Sequence, residues 1–252
     1  MLLLVKKSIR GLIEVRKDFD KDLMEIILNR KVLNLNEDKR IIFLYASPFN
    51  SSYTKSREST IIEKFETKDA CCRNALVLGD LNGRTGRVED FVRDDRDKHC
   101  PADNPLYTRD SFLSRNNTDC NPVDQQGKLV LDLCKNTGLR ILNGRTFGDS
   151  AGNFTRYPLH KPTDKPSVID YALCGQSFLP EVFSFSVLPF TDLSDHCCIS
   201  TSVKINRDLI EAAPNENVDE YPDVSVSPEI KALTFDADRL DIFKENIRKD
   251  DN

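Results

Sequence analysis

Asn74-Ala75-Leu76-Val77-Leu78-Gly79-Asp80-Leu81-Asn82-Gly83-Arg84 carries an apolar, β-forming stretch straight into a glycine, a carboxylate and an amide. Residues 74–79 read as a compact buried strand, and the polar residues after it mark where that strand meets solvent. Side chains alternate across a strand, so Asp80 and Asn82 share one face at its open end. A carboxylate placed there can accept a proton from water, and an amide can donate to a phosphate oxygen. Gly-Asp and Asn-Gly are also common turn dipeptides, so the stretch alone reads as an ordinary turn as well.

A second stretch, Ser167-Val168-Ile169-Asp170-Tyr171-Ala172-Leu173, sets Asp170 inside an otherwise apolar strand. An unpaired carboxylate is costly to bury, so Asp170 needs a partner. The chain has 3 histidines, and one of them, His196, follows Ser194-Asp195 just before the apolar run that starts at Cys197. A buried aspartate paired with a histidine at a strand entrance is an orienting dyad, in which the carboxylate fixes the tautomer and favours the imidazolium. Asp195, an exposed hard oxygen ligand, suits Mg²⁺. The other reading of this segment is a loop cap by Ser194 or Asp195 with a surface histidine.

Working outward, Leu2–Val5, Leu23–Leu28 and Ile41–Tyr45 read as strands, with a charged stretch between the first two. Thr54–Lys68 suits a surface helix with Ile61, Ile62 and Phe65 on one side, and Asp124 caps a helix that runs to Gly138. Arg84–Asn121 shows no sustained periodicity and reads as a long loop. Arg140–Asn143, Asn153–Tyr157, Ser167–Cys174, Val182–Leu188 and Cys197–Ile205 follow as strands. Strands with few helices between them predict an α+β fold, a four-layered sandwich of two stacked mixed sheets flanked by helices. Residues 1–204 are expected to form this domain, and 205–252 an acidic linker and tail with a short helix at Phe235–Lys249.

Composition bounds the class without naming a function. The chain has 252 residues and a formal net charge of −5, unevenly spread: 1–207 sums to +3 and 208–252 to −8. A mildly basic body permits phosphate binding without demanding it. No apolar stretch approaches the roughly 18–20 residues needed to span a bilayer, and the N-terminal apolar run precedes its basic residues, the reverse of a secretory signal. The 8 cysteines include the adjacent pairs Cys71-Cys72 and Cys197-Cys198 and no C-x-x-C. Reduced thiols in an intracellular protein are expected, and zinc at His99 and Cys100 lacks a second ligand pair.

Taken in order, G-D-L-N at 79–82, I-D-Y at 169–171 and S-D-H at 194–196 resemble the endonuclease/exonuclease/phosphatase superfamily. The wording around them is similar to the endonuclease domains of LINE-type (non-LTR) retrotransposons, in Gly127-Lys128-Leu129 through Leu142-Asn143-Gly144-Arg145-Thr146, in Phe154-Thr155-Arg156-Tyr157 and in Phe190–His196. The resemblance implies a Mg²⁺-dependent hydrolase that nicks DNA, nuclear where DNA is the substrate, with a reverse transcriptase domain in the parent element. It casts Asp80 as the residue that orients or deprotonates the attacking water, and Asn82 as the amide that holds the scissile phosphate. It casts His196 as the phosphate-contacting histidine, Asp170 as its partner and Asp195 as a carboxylate near the metal. Tyr45 and Thr155 fall where relatives contact phosphate and DNA, and Ser194 opens the terminal motif beside them as a substrate-binding residue.

The resemblance also has a gap. Relatives carry an asparagine strand and a glutamate in a Q-E-T/S-like turn, the main magnesium ligand, and neither stands upstream of Tyr45. Met1-Leu2-Leu3-Leu4-Val5-Lys6-Lys7 resembles the strand that follows that glutamate. The expectation is a domain missing its first strands, with a weakened Mg²⁺ site. Two other functions stay open: a phosphatase of the same superfamily acting on inositol phosphates or sphingomyelin, and a non-catalytic remnant that binds nucleic acid.

Overall fold

The computed structural model describes residues 3–5, 7–16, 22–33, 37–52, 59–68, 72–93, 113–159 and 164–204. The expected tail over 205–252, residues 54–58 of the expected helix at 54–68, and His99 and Cys100 lie outside them.

Among the described residues eight strands form two sheets. β1 (Ile13–Arg16), β2 (Leu23–Leu28), β3 (Lys39–Leu44), β4 (Ala75–Asp80), β5 (Leu139–Ile141) and β6 (Asp170–Gly175) make a mixed sheet in the order β1-β2-β3-β4-β6-β5. β3 and β4 are parallel and every other pairing in this sheet is antiparallel. β7 (Val182–Val187) and β8 (Ile199–Val203) form the second sheet, an antiparallel pair where a second mixed sheet was expected. Among the described residues the α-helices are the short α1 (Arg30–Leu33), α2 (Ile61–Lys68) and α3 (Gln125–Thr137). The fold is α+β.

Strand alternation assigns the two faces of the large sheet. Ile42, Leu44, Val77, Tyr171 and Leu173 pack with Ile62 and Phe65 of α2 and Val130, Leu133 and Cys134 of α3. Leu76, Ala172 and Cys174 point the other way and pack with Phe185, Val187, Ile199 and Val203 of the small sheet. Asp80 and Asp170 continue the second set, at the ends of β4 and β6, so they emerge on the face that the small sheet covers.

Local chemistry fixes the helices. The Asp124 side chain accepts from the Gly127 N–H at 2.7 Å to cap α3, and Gly138 closes it in the left-handed conformation. In α2, Thr60 and Glu63 form a reciprocal capping box: the Glu63 N–H donates to Thr60 Oγ1 at 3.2 Å and the Thr60 N–H to the Glu63 carboxylate at 2.7 Å.

Three expectations differ from the structure. Leu3–Val5 forms no strand, whereas Ile13–Arg16, in the stretch read only as charged, is the edge strand β1. An edge strand with one half-buried and three exposed residues has no apolar alternation to betray it. Asn153–Tyr157 forms isolated bridges rather than a strand, with Arg156 opposite both Ser167 and His196. The described ends of the long loop are tightly tied rather than structureless. Asn117 Oδ1 accepts from the Asp119 N–H, Asp119 Oδ1 from the Asn121 N–H, and Arg84 pairs with Asp119 at 2.5 Å.

Gly79 is where the sheet demands a glycine. Its φ is 155°, and a Cβ there would stand 1.9 Å from the Leu44 carbonyl oxygen of the neighbouring strand. Gly79→Ala is therefore expected to cost about 2–3 kcal/mol, read as a lower urea midpoint at unchanged slope.

Candidate active site

β4 and β6 run antiparallel with Asp80 directly opposite Asp170. Two carboxylates facing each other on one side of a sheet repel, and like-charge cross-strand pairs destabilise unless something offsets the charge. Three groups share that task. Asp80 Oδ1 accepts from the Asn82 N–H and Oδ2 from Asn82 Nδ2, both at 2.9 Å. His196 Nδ1 lies 3.0 Å from both oxygens of Asp170.

The turn that makes the first of these contacts is held from behind. Asn82 has φ 48°, a left-handed conformation that asparagine tolerates better than most residues. The fully buried Tyr171 hydroxyl lies 2.7 Å from the Gly83 carbonyl and 2.6 Å from that of Val168, and accepts from the Thr85 N–H at 3.3 Å. Asn82 Nδ2 also donates to the Ala46 carbonyl at 3.0 Å, and the Ala46 N–H donates to the Asp80 carbonyl at 2.8 Å. Tyr45, half-exposed and next to Ala46, stands at the same edge.

The histidine arrives from the small sheet. β7 and β8 are joined by residues 188–198, and that connection carries Ser194, Asp195 and His196 across the ends of β4 and β6. Ser194 Oγ accepts from the His196 N–H at 3.1 Å, shaping the turn. Asp195 accepts from Arg156 Nε at 2.9 Å and, through its carbonyl, from the Tyr157 N–H at 2.7 Å. Its carboxylate is thus held by an arginine, outside the group of Asp80, Asp170 and His196 whose candidate ligand atoms all lie within 4.8 Å of one another.

Thr155, which the resemblance casts in contact with DNA, is fully buried. Its Oγ1 accepts from the Ile169 and Asp170 N–H groups, each at 3.0 Å, and its carbonyl accepts from the Cys197 N–H at 2.7 Å. One residue therefore fixes both Asp170 and the strand entrance behind His196. Asn143 adds a clamp, donating through Nδ2 to the Asp170 carbonyl and accepting from the Ala172 N–H. Sequence reasoning assigned no role to Tyr171, Asn143 or Arg156. Tyr171 and Asn143 fall within quoted motifs, but only the register shows what they touch.

Electrostatics act on both Asp80 and His196. Burial, and then the nearby Asp170, push Asp80 up to about 6, against the opposing pull of its bonds from Asn82 and the charge of His196. His196 is raised above its ordinary value of 6.5, first by its hydrogen bond to Asp170. Near neutral pH Asp80 is chiefly ionised and His196 is biased towards the imidazolium. An oxygen-rich site with a residual like-charge conflict suits a hard divalent cation.

No protein-family model and no curated protein matches the chain. Solved structures similar to it include the following two. One is the endonuclease domain of TRAS1, a telomere-specific non-LTR retrotransposon, at 15% identity over 77% of this chain and 67% of that chain, with a TM-score of 0.45. The other is the 3′ phosphatase NExo from Neisseria, bound to product DNA hairpin, at 12% identity over 76% of this chain and 70% of that one, with a TM-score of 0.43. The roles of individual residues rest on the geometry above.

Proposed function

We propose that this chain hydrolyses phosphodiester bonds in DNA with the help of Mg²⁺, as an endonuclease. The observation that carries the reading is the opposed pair Asp80–Asp170 with His196 bonded to one member. That constellation has little structural purpose, since it places two carboxylates where they repel, yet it supplies a base, a cation ligand and a proton donor at one point.

The Asp80 carboxylate, with Asp170 facing it, is where Mg²⁺ would be held; a bound Mg²⁺ polarises a phosphoryl oxygen and offsets charge that develops there. Imidazole is a poor ligand for so hard a cation, so His196 is left for another task. With Nδ1 committed to Asp170, its Nε2 is the nitrogen left to face a substrate, and the raised proton affinity keeps it a donor near neutrality. It would donate to a non-bridging phosphate oxygen. With a cation held against it Asp80 would be ionised, and it would accept a hydrogen bond from the attacking water and so orient it. Asn82 spends both amide hydrogens on Asp80 and Ala46 in this arrangement, so it reaches a phosphate only once one of those bonds is given up. Thr155 would serve by positioning Asp170, and Ser194 by shaping the His196 turn.

The substrate class is tested with a labelled duplex and, in parallel, inositol phosphates, each with MgCl₂ or EDTA. Strand scission that needs Mg²⁺, with no phosphate released from inositol phosphates, is the expected outcome. Phosphate release without scission would replace the endonuclease by a phosphomonoesterase. DNA binding without either product would leave a non-catalytic module.

A further inference from the structure

Beside the His196 turn lies a cavity of about 480 Å³ lined by Arg84, Asn121, Pro122, Arg156, Asp164 and Lys165. None of these belongs to the Asp80–Asp170–His196 group. Arg84 is committed to Asp119 and to the Pro166 and Lys165 carbonyls. Arg156 uses Nε on Asp195, and its terminal nitrogens have no protein partner among the described residues. Lys165 is exposed and makes no ion pair among the described residues. The terminal nitrogens of Arg156 and the Lys165 ammonium therefore meet at a cavity that also takes in the Asp164 carboxylate, and whose size falls in the range of small-ligand sites, about 300–1,000 Å³.

The next residue along the chain begins a second feature. Tyr157 packs on Phe190 with ring centroids 4.9 Å apart and tilted by 53°, and Phe154 meets Tyr157 edge-on at 6.0 Å. Phe190 keeps 39% of its surface exposed, and Leu193, on the same connection, keeps 74%. Both precede Ser194-Asp195-His196 by a few residues. Large apolar side chains held open at the edge of a polar site suit a ligand that is flat and aromatic.

We infer that Arg156 and Lys165 bind a phosphate flanking the scissile one, while Phe190, backed by Tyr157, stacks the base of the same strand. The inference rests on the endonuclease reading and narrows its substrate. Stacking needs the face of a base, which an intact duplex hides, so the strand engaged here is unpaired or unstacked beside the cut. Base–aromatic stacking tolerates any sequence because every base has a π-face. The arrangement thus selects strand state rather than sequence.

The test measures binding of a short single-stranded DNA and of its duplex by fluorescence anisotropy in EDTA, so that no turnover intervenes. Phe190→Ala is expected to weaken single-strand binding by about 5- to 100-fold, with duplex binding little changed and Phe190→Tyr restoring the loss. Lys165→Ala is expected to weaken both and to reduce the magnitude of the log-affinity-against-log-salt slope by about one. Both positions are exposed, and the thermal midpoint of each variant checks that it folds. Parental affinity in Phe190→Ala and Lys165→Ala overturns the inference, as does equal weakening on duplex and single strand in Phe190→Ala. Nicking by the same preparations separates the two claims. A parent that nicks while the variants bind normally removes only this inference, and a parent that never nicks while the binding pattern holds removes only the hydrolytic reading.

Discussion

Asp80→Asn is expected to give a protein that is more stable than its parent above pH 6 and slower in strand scission by about 10²–10⁴-fold. The two effects have one cause. Asp80 sits across the strand pair from Asp170, and burial and that neighbour raise it from its ordinary 3.8 to about 6. The folded state therefore holds the Asp80 proton more tightly than the unfolded chain does. Stability contributed through this group falls as pH rises from 3.8 towards 6, and the full cost is present above that. Asparagine cannot ionise, so the variant's advantage is absent at acid pH, grows as pH rises from 3.8 towards 6 and levels off above that. His196 works in the opposite sense. Its raised value adds stability below 6.5 that is lost as pH climbs through the folded value, so the two profiles can be told apart. Thermal melts of parent and variant from pH 4 to pH 8, in EDTA, read the first effect. A variant less stable than its parent at pH 8 would mean the opposed carboxylates are not in conflict.

Arg145→Leu is expected to lower stability by about 3–5 kcal/mol. Asp90 is wholly buried and accepts from Arg145 Nη1 and Nη2 at 2.8 Å each and from the Ile141 N–H at 2.7 Å. Leucine would leave that carboxylate in the interior with one backbone donor. Urea unfolding reads the loss, and the Asp90→Asn/Arg145→Leu pair should recover part of it, because the two residues act as one unit. Catalysis should suffer as well. The Asp90 bond to Ile141 fixes the strand that leads to Asn143, and Asn143 clamps the backbone of Asp170.

Reading the sequence was most reliable where local chemistry decides structure. The Asp124 cap and Gly138 stop delimit α3, and the apolar run ending in Gly79-Asp80 is β4 because burial on both faces leaves no other use for it. Asp170 announced a partner because a lone carboxylate does not survive in an apolar strand, and one of three histidines lay at a strand entrance. What stayed hidden depends on contacts between distant residues. Nothing local says that Asp170 faces Asp80, that Thr155 turns inward to two backbone N–H groups, or that Arg156 claims Asp195. β1 escaped notice because an exposed edge carries no pattern. The described ends of Arg84–Asn121 looked structureless because their order comes from Asn and Asp side chains bonding backbone two residues away, and from ion pairs to residues tens of positions distant.

Nicking of supercoiled plasmid in MgCl₂ by the parent, by Asp80→Asn and by His196→Gln, side by side, bears most directly on the claim that this trio is a hydrolytic centre. The expected result is Mg²⁺-dependent nicking by the parent, abolished by EDTA, with both variants folded and slower by about two orders of magnitude or more. Variants that nick as fast as the parent would contradict it.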